Sequence, residues 1–255
     1  MPTPFMHLQT AERILASERL APEIRDLLLA NYPAFYLGNV APDYQAICDI
    51  PREETHFYKL PPTLGNQGYD TMLACHPDLT AVQELAPNKA IFIAGYSIHL
   101  KLDLLWYHEV LVPYFFLSEG WEDHRQRFMI HNTMLTYLDM LAVETLPDKA
   151  AETLSSAIPD YQLSFAADSK LVVWRDMLVD QLQPGAMLRT VEIYAGRLEM
   201  SPEEFAANLE NPAWMADYVF GKVPVEKVQE MLAETVDENI DIITSYLTGK
   251  LLQIE

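Results

Sequence analysis

Cysteine is nearly absent from this chain. Cys48 and Cys75 are the only two, and they lack C-x-x-C spacing, which argues against a disulfide framework or a thiolate zinc site. Basic residues are also scarce, with 17 Lys and Arg against 37 Asp and Glu, a formal net charge of −20. A surface of that sign repels phosphate backbones and anionic headgroups, so nucleic acid is disfavoured as the main partner. No apolar run of membrane-spanning length is free of charge. The least polar stretch, residues 90–112, contains His99, Lys101, Asp103, His108 and Glu109, a set that a membrane span does not tolerate and that reads instead as a buried helix. The first residues show no basic segment followed by an apolar one, so no secretory signal is read and the cytoplasm is the expected location. Period-two alternation, internal repeats, low-complexity runs and long linkers are missing too.

What remains is helical. Half of the 255 residues are hydrophobic, enough for a sizeable core, and residues 1–255 are expected to form a single all-α, multi-helix domain around a buried central helix. His7, Ala11, Ile14 and Leu15 share one helical face. Pro22 can open a second helix over 22–31. A short helix over 33–37 is expected to close at Gly38, with 39–43 a loop because residue 41 precedes proline. Residues 51–68 read as a long loop carrying His56. A short helix over 69–75 follows. The central helix is expected over 88–111, stopped by Pro113, and another over 122–145. Further helices are expected near 168–182, 186–198, 202–209, 212–220 and 224–248. Ser201, Pro202 and Glu204 form a capping-box start with proline at the first helical position.

The chemistry lies in the first half. His99 and Asp103 are spaced i, i+4, so both side chains leave one helix face and can take one divalent cation. A buried His and Asp are costly without a partner, and a metal ion supplies one. His7 lies on an apolar face, and Asp43 and His56 occupy segments with unusual punctuation. Imidazole and carboxylate donors without thiolate suit zinc, with manganese or iron as alternatives. Other candidates are weaker. His76 reads as a helix end and His124 as part of a solvated face. Arg189 and Glu192, at i and i+3, read as a helical ion pair. The aromatics around Trp106 and Tyr114 are mostly core.

The order of these residues resembles the zinc-dependent phospholipase C family, which shares its fold with the P1-type nucleases, and in particular a cytosolic bacterial branch. The family has an early His, an Asp in a loop after the second helical segment, a His shortly after, and H-x-x-x-D on a long central helix. The matching residues are His7, Asp43, His56, and His99 with Asp103. The resemblance carries identifiable motifs over about the first 140 residues. It implies two or three zinc ions. One would be held by Asp43, His56, His99 and Asp103. A second would be held by His7, the shared Asp103 and the chain's own amine, with Pro2 as its source if Met1 is removed. A third would draw on His108 and His131. The pattern departs from the family there. Residue 135 is Leu where a carboxylate is expected, and Asp139 is about 12 Å further along the axis than His131. Glu192 could complete that site from elsewhere.

The implied chemistry is hydrolysis of a phosphoester, most directly a phosphodiester such as a lipid headgroup linkage. Two cations about 3.5–4 Å apart would clamp the substrate and acidify water, with Asp43 adding a base-like role. A P1-like nuclease and a non-catalytic metal-binding helical protein stand as alternatives.

Overall fold

The computed structural model describes residues 1–63 and 65–251. Helix α1 (Pro4–Ala16) has proline in its first turn and buries Phe5, Met6, His7, Leu8, Ala11, Ile14 and Leu15. Helices α2 (Pro22–Ala30) and α3 (Tyr32–Val40) follow, then a 3-10 segment, Ala41–Ile47, that carries Asp43. Helix α4 (Arg52–His56) is one turn long, and α5 (Tyr69–Cys75) leads through two 3-10 turns to α6 (Pro87–Trp106). Helix α6 continues into a π-helical stretch, Tyr107–Phe116. The second half comprises α7 (His124–Thr145), α8 (Ala150–Ser155), α9 (Asp168–Gln181), α10 (Arg189–Leu198), α11 (Pro202–Leu209), α12 (Pro212–Met215) and α13 (Val225–Leu247). No strand occurs among the described residues, and no helix among them is long and apolar enough to cross a membrane.

Helix α6 is the axis of the fold. It is apolar on every side and buried over most of its length, as a helix enclosed by others must be. Helix α3 lies hardest against it, with α13 and α1 also in contact. Two glycines set the α3–α6 distance. A Cβ on Gly38 would fall 2.2 Å from the Phe92 carbonyl oxygen, and one on Gly95 would fall 2.7 Å from the Phe35 carbonyl oxygen. Each helix therefore gives up a side chain where the other's backbone passes. Gly38 is inside α3 rather than at its end, so the expected closure there is corrected: the glycine serves close approach, not chain reversal.

Three other local expectations change. Pro113 does not stop the central helix; the chain carries it inside the π-helical turn, where wider hydrogen bonding accommodates the missing N–H. Residues 39 and 40 are helical, and 41–47 form a 3-10 turn rather than an open loop. The segment 51–68 is not wholly a loop, because His56 ends α4. Phe57, with φ of 61°, terminates that turn in the left-handed region. The Tyr96 hydroxyl donates to the Thr55 carbonyl at 2.6 Å and ties α4 to α6. The start at Ser201 forms as read: its hydroxyl accepts from the Glu204 N–H at 3.1 Å.

Candidate metal centre

Four separate elements deliver side chains to one buried point. His7 comes from α1, Asp43 from the 3-10 turn, His56 from α4, and His99 with Asp103 from α6. The side chains of His7, His56, His99 and Asp103 are at most 1% exposed, and that of Asp43 is 19% exposed. Two groups of donor atoms have the span of a metal site, each within 4.8 Å: His7, His99 and Asp103, and Asp43, His56 and His99.

Asp103 joins the two groups. Its Oδ1 is 3.5 Å from His7 Nε2, and its Oδ2 is 3.3 Å from His56 Nε2 and 3.9 Å from His99 Nε2. Asp43 Oδ1 lies 3.5 Å from His56 Nε2 and 3.8 Å from His99 Nε2. His7 and His99 stack, with ring centroids 3.7 Å apart.

The outer nitrogens of two imidazoles are already committed. His99 Nδ1 donates to the Asn39 carbonyl at 2.7 Å. His56 Nδ1 faces the Arg52 carbonyl at 3.2 Å and the Thr55 hydroxyl at 2.8 Å. A carbonyl can only accept, so in the neutral ring each Nδ1 carries hydrogen and each Nε2 lone pair points inward. This is the arrangement in which backbone partners orient metal-binding histidines. The Asn39 contact depends on the glycine-mediated approach of α3 to α6, which connects the fold directly to the site.

The inward atoms lack partners. Both nitrogens of His7, Nε2 of His56, Nε2 of His99 and Oδ1 of Asp103 are buried without a hydrogen bond among the described residues. Each such atom costs about 1–3 kcal/mol, so together they rival the ~5–15 kcal/mol net stability of a folded domain. Borderline nitrogen and oxygen donors converging without protein partners fit zinc.

The electrostatics agree. Burial works to raise the Asp103 pKa and is outweighed by the neighbouring His56 and His7 imidazoles, by His99 and by the Arg52 guanidinium, which hold it well below the usual carboxylate range. Asp43 is likewise lowered, against burial, by His99 and His56. Burial, then His7, lowers the His99 pKa to about 3. For His56, burial is overcome by the adjacent Asp103 and Asp43 carboxylates and the pKa is raised. These shifts keep both carboxylates ionised and leave His99 neutral, and the surrounding negative charge favours the protonated form of His56. The Met1 amine is buried in this field, its pKa lowered chiefly by desolvation, with Asp103 and Asp43 opposing.

The two other expected ligands are placed elsewhere. His108 is exposed and its ring stands edge-on to Tyr107. His131 Nε2 accepts from the Trp106 indole at 3.2 Å, and the ring packs on Phe115. Neither belongs to a metal-capable group among the described residues, nor does the exposed Glu192. Asp139 accepts from the hydroxyls of Thr3 and Thr190, so it anchors the start of α1 to α7 and α10.

Arg52 and Tyr58 carry no motif and enter only through the structure. Arg52 Nη2 is bonded to Asp103 Oδ2 and donates to the Tyr58 hydroxyl at 2.9 Å. The Tyr58 hydroxyl lies 3.4 Å from the same carboxylate oxygen. The available signal was position: Arg52 precedes His56 by four residues, one helical turn, which is meaningful only once α4 is known to be a helix.

No curated protein and no solved structure matches this chain. The family described as zinc dependent phospholipase C matches residues 6–178, a span that contains all five residues of the cluster. The chain belongs to the zinc-dependent phospholipase C family.

Proposed function

We propose that the chain is a metal-dependent phosphoester hydrolase acting on a phosphodiester of phospholipase C type, with a lipid headgroup linkage or a small phosphoester as substrate. One observation carries this reading: Asp103 presents one oxygen to His7 and the other to His56 and His99, so a single carboxylate can serve two adjacent ions. His7 and Asp103 would supply donors to one, and Asp43, His56, His99 and Asp103 would supply donors to the other. Zinc bound there supplies Lewis acidity and a water acidified towards neutrality.

The chain's own residues do the rest. His56 and His99 are fixed by the Arg52 and Asn39 carbonyls, so the donor set is preorganised. Asp43 is the most exposed of the five ligands and is ionised, so its carboxylate takes the proton of the attacking water. Burial of the other four excludes bulk water from the polar core.

The experiment is direct. Chelator-stripped protein is expected to be inactive on p-nitrophenylphosphorylcholine, and zinc is expected to restore turnover. Asp43→Asn should lower kcat by about a hundredfold or more. Zinc-loaded protein that turns over neither this diester nor bis(p-nitrophenyl) phosphate would refute the hydrolase reading.

A second reading is a metal-binding helical protein without hydrolytic activity. It is favoured by the separation of His108 and His131 from the cluster. A P1-like nuclease fits the net charge of −20 poorly, and single-stranded nucleic acid belongs in the same assay as a comparison.

A further inference from the structure

The buried cluster has two partly exposed charged groups, Asp43 at 19% and Arg52 at 22%. They have opposite sign. Asp43 is accounted for as a ligand and proton acceptor, whereas Arg52 is not used by the metal set. Its planar head offers five donors. Nη2 spends its hydrogens on Asp103 and Tyr58, while Nη1 is buried with no partner among the described residues. The guanidinium stands 4.9 Å from the centre of the Tyr58 ring, which limits its swing. Its own backbone carbonyl orients His56. The arginine head and a metal-capable imidazole are therefore registered on the same turn of helix.

A guanidinium that only neutralised Asp103 would not need a free, buried donor. Asp103 Oδ2 is also an oxygen that the imidazoles of His56 and His99 surround. Arg52 therefore stands beside the oxygen that a bound cation would share, with its Nη1 still free to donate. On a chain with net charge −20, an anion needs such a fixed positive partner at the point of approach. The fork geometry suits a tetrahedral oxyanion, which can accept two parallel N–H bonds.

We infer that Arg52 is the anion-binding arm of the centre, using its fork to hold a non-bridging oxygen of a phosphoryl group, with Asp103 and Tyr58 keeping it in place. This rests on the reading of the cluster as a phosphoester site. Free phosphate and a phosphodiester share the recognised chemistry, so both are used as probes.

The test takes zinc-loaded wild type, Arg52→Gln and Arg52→Lys. Zinc content is measured first, then inorganic phosphate affinity by calorimetry, then kinetics on bis(p-nitrophenyl) phosphate. Arg52→Gln is expected to keep its zinc, bind phosphate at least about tenfold more weakly and raise KM for the diester by a similar factor. Arg52→Lys should fall between, because an ammonium restores charge without the fork. Unchanged phosphate affinity in Arg52→Gln would overturn the inference, as would a wild type that binds no phosphate. Loss of zinc in both variants would make Arg52 a structural partner of Asp103 and would also overturn it. A wild type that binds phosphate through Arg52 but cleaves no diester refutes the hydrolase reading and leaves this one standing.

Discussion

The imidazole rings of His7 and His99 lie face to face, 3.7 Å apart and 12° from parallel. Two imidazolium ions would repel strongly at that separation, and the low pKa of His99, about 3, keeps its ring neutral. Its proton has been removed in advance by burial and by its neighbour. Among Asp43, His56, His99 and Asp103, His56 alone has a raised pKa.

Zinc uptake at the Asp43, His56 and His99 group should therefore displace a proton from His56 wherever that ring is charged. Calorimetry of zinc binding in buffers of differing ionisation enthalpy reads this number directly. Affinity should fall by about tenfold per pH unit as the solution is acidified below the His56 pKa. Proton release that does not grow as the pH is lowered and is unchanged in His56→Ala would contradict the assignment.

Asp139 predicts a pH dependence of a different sign from ordinary acid denaturation. Burial raises its pKa to about 7 from an unfolded value of 3.8, against bonds from Thr3, Thr190 and the Phe5 N–H. Folding thus favours its protonated form. Its contribution is complete below about pH 4 and is lost as the pH rises through 7, a change on the order of 4 kcal/mol. Asp139→Asn should remove this slope. Denaturant unfolding of both proteins between pH 4 and 8 measures the difference, and parallel curves would contradict the assignment.

Gly38→Ala should destabilise the metal-free protein by about 3 kcal/mol, because the added Cβ meets a backbone oxygen of α6 that cannot swing aside. For a chain of this size that is a fall in Tm of roughly 8 °C. Spreading α3 from α6 also lengthens the Asn39–His99 hydrogen bond, so zinc affinity should drop with stability. Thermal melts of chelated and zinc-loaded samples separate the two effects. A variant as stable as wild type would show that the helices are not in close contact there.

Much of the fold was legible in the sequence because helical periodicity and proline starts are local signals. Pro22, Ser201 and the apolar face through His7 and Ala11 each mark elements that form. Gly38, Pro113 and Arg52 were not legible. The role of Gly38 depends on where Phe92 passes, 54 residues further along the chain, and that of Pro113 on a π-helical turn that composition does not announce. Arg52 was hidden because a five-residue helix is too short to show a period. The cluster itself was readable through its spacing and family order. Its separation from His108 and His131 required coordinates, since sequence distance says nothing about whether Trp106 occupies the imidazole nitrogen first.

In the proposed centre one carboxylate, Asp103, unites two metal positions. Zinc content of purified, dialysed protein and its variants tests this most directly. Wild type should hold about two equivalents, His7→Ala and His56→Ala about one each, and Asp103→Ala close to none. Two equivalents retained by Asp103→Ala, or one at most in wild type with no loss in His7→Ala, would contradict it.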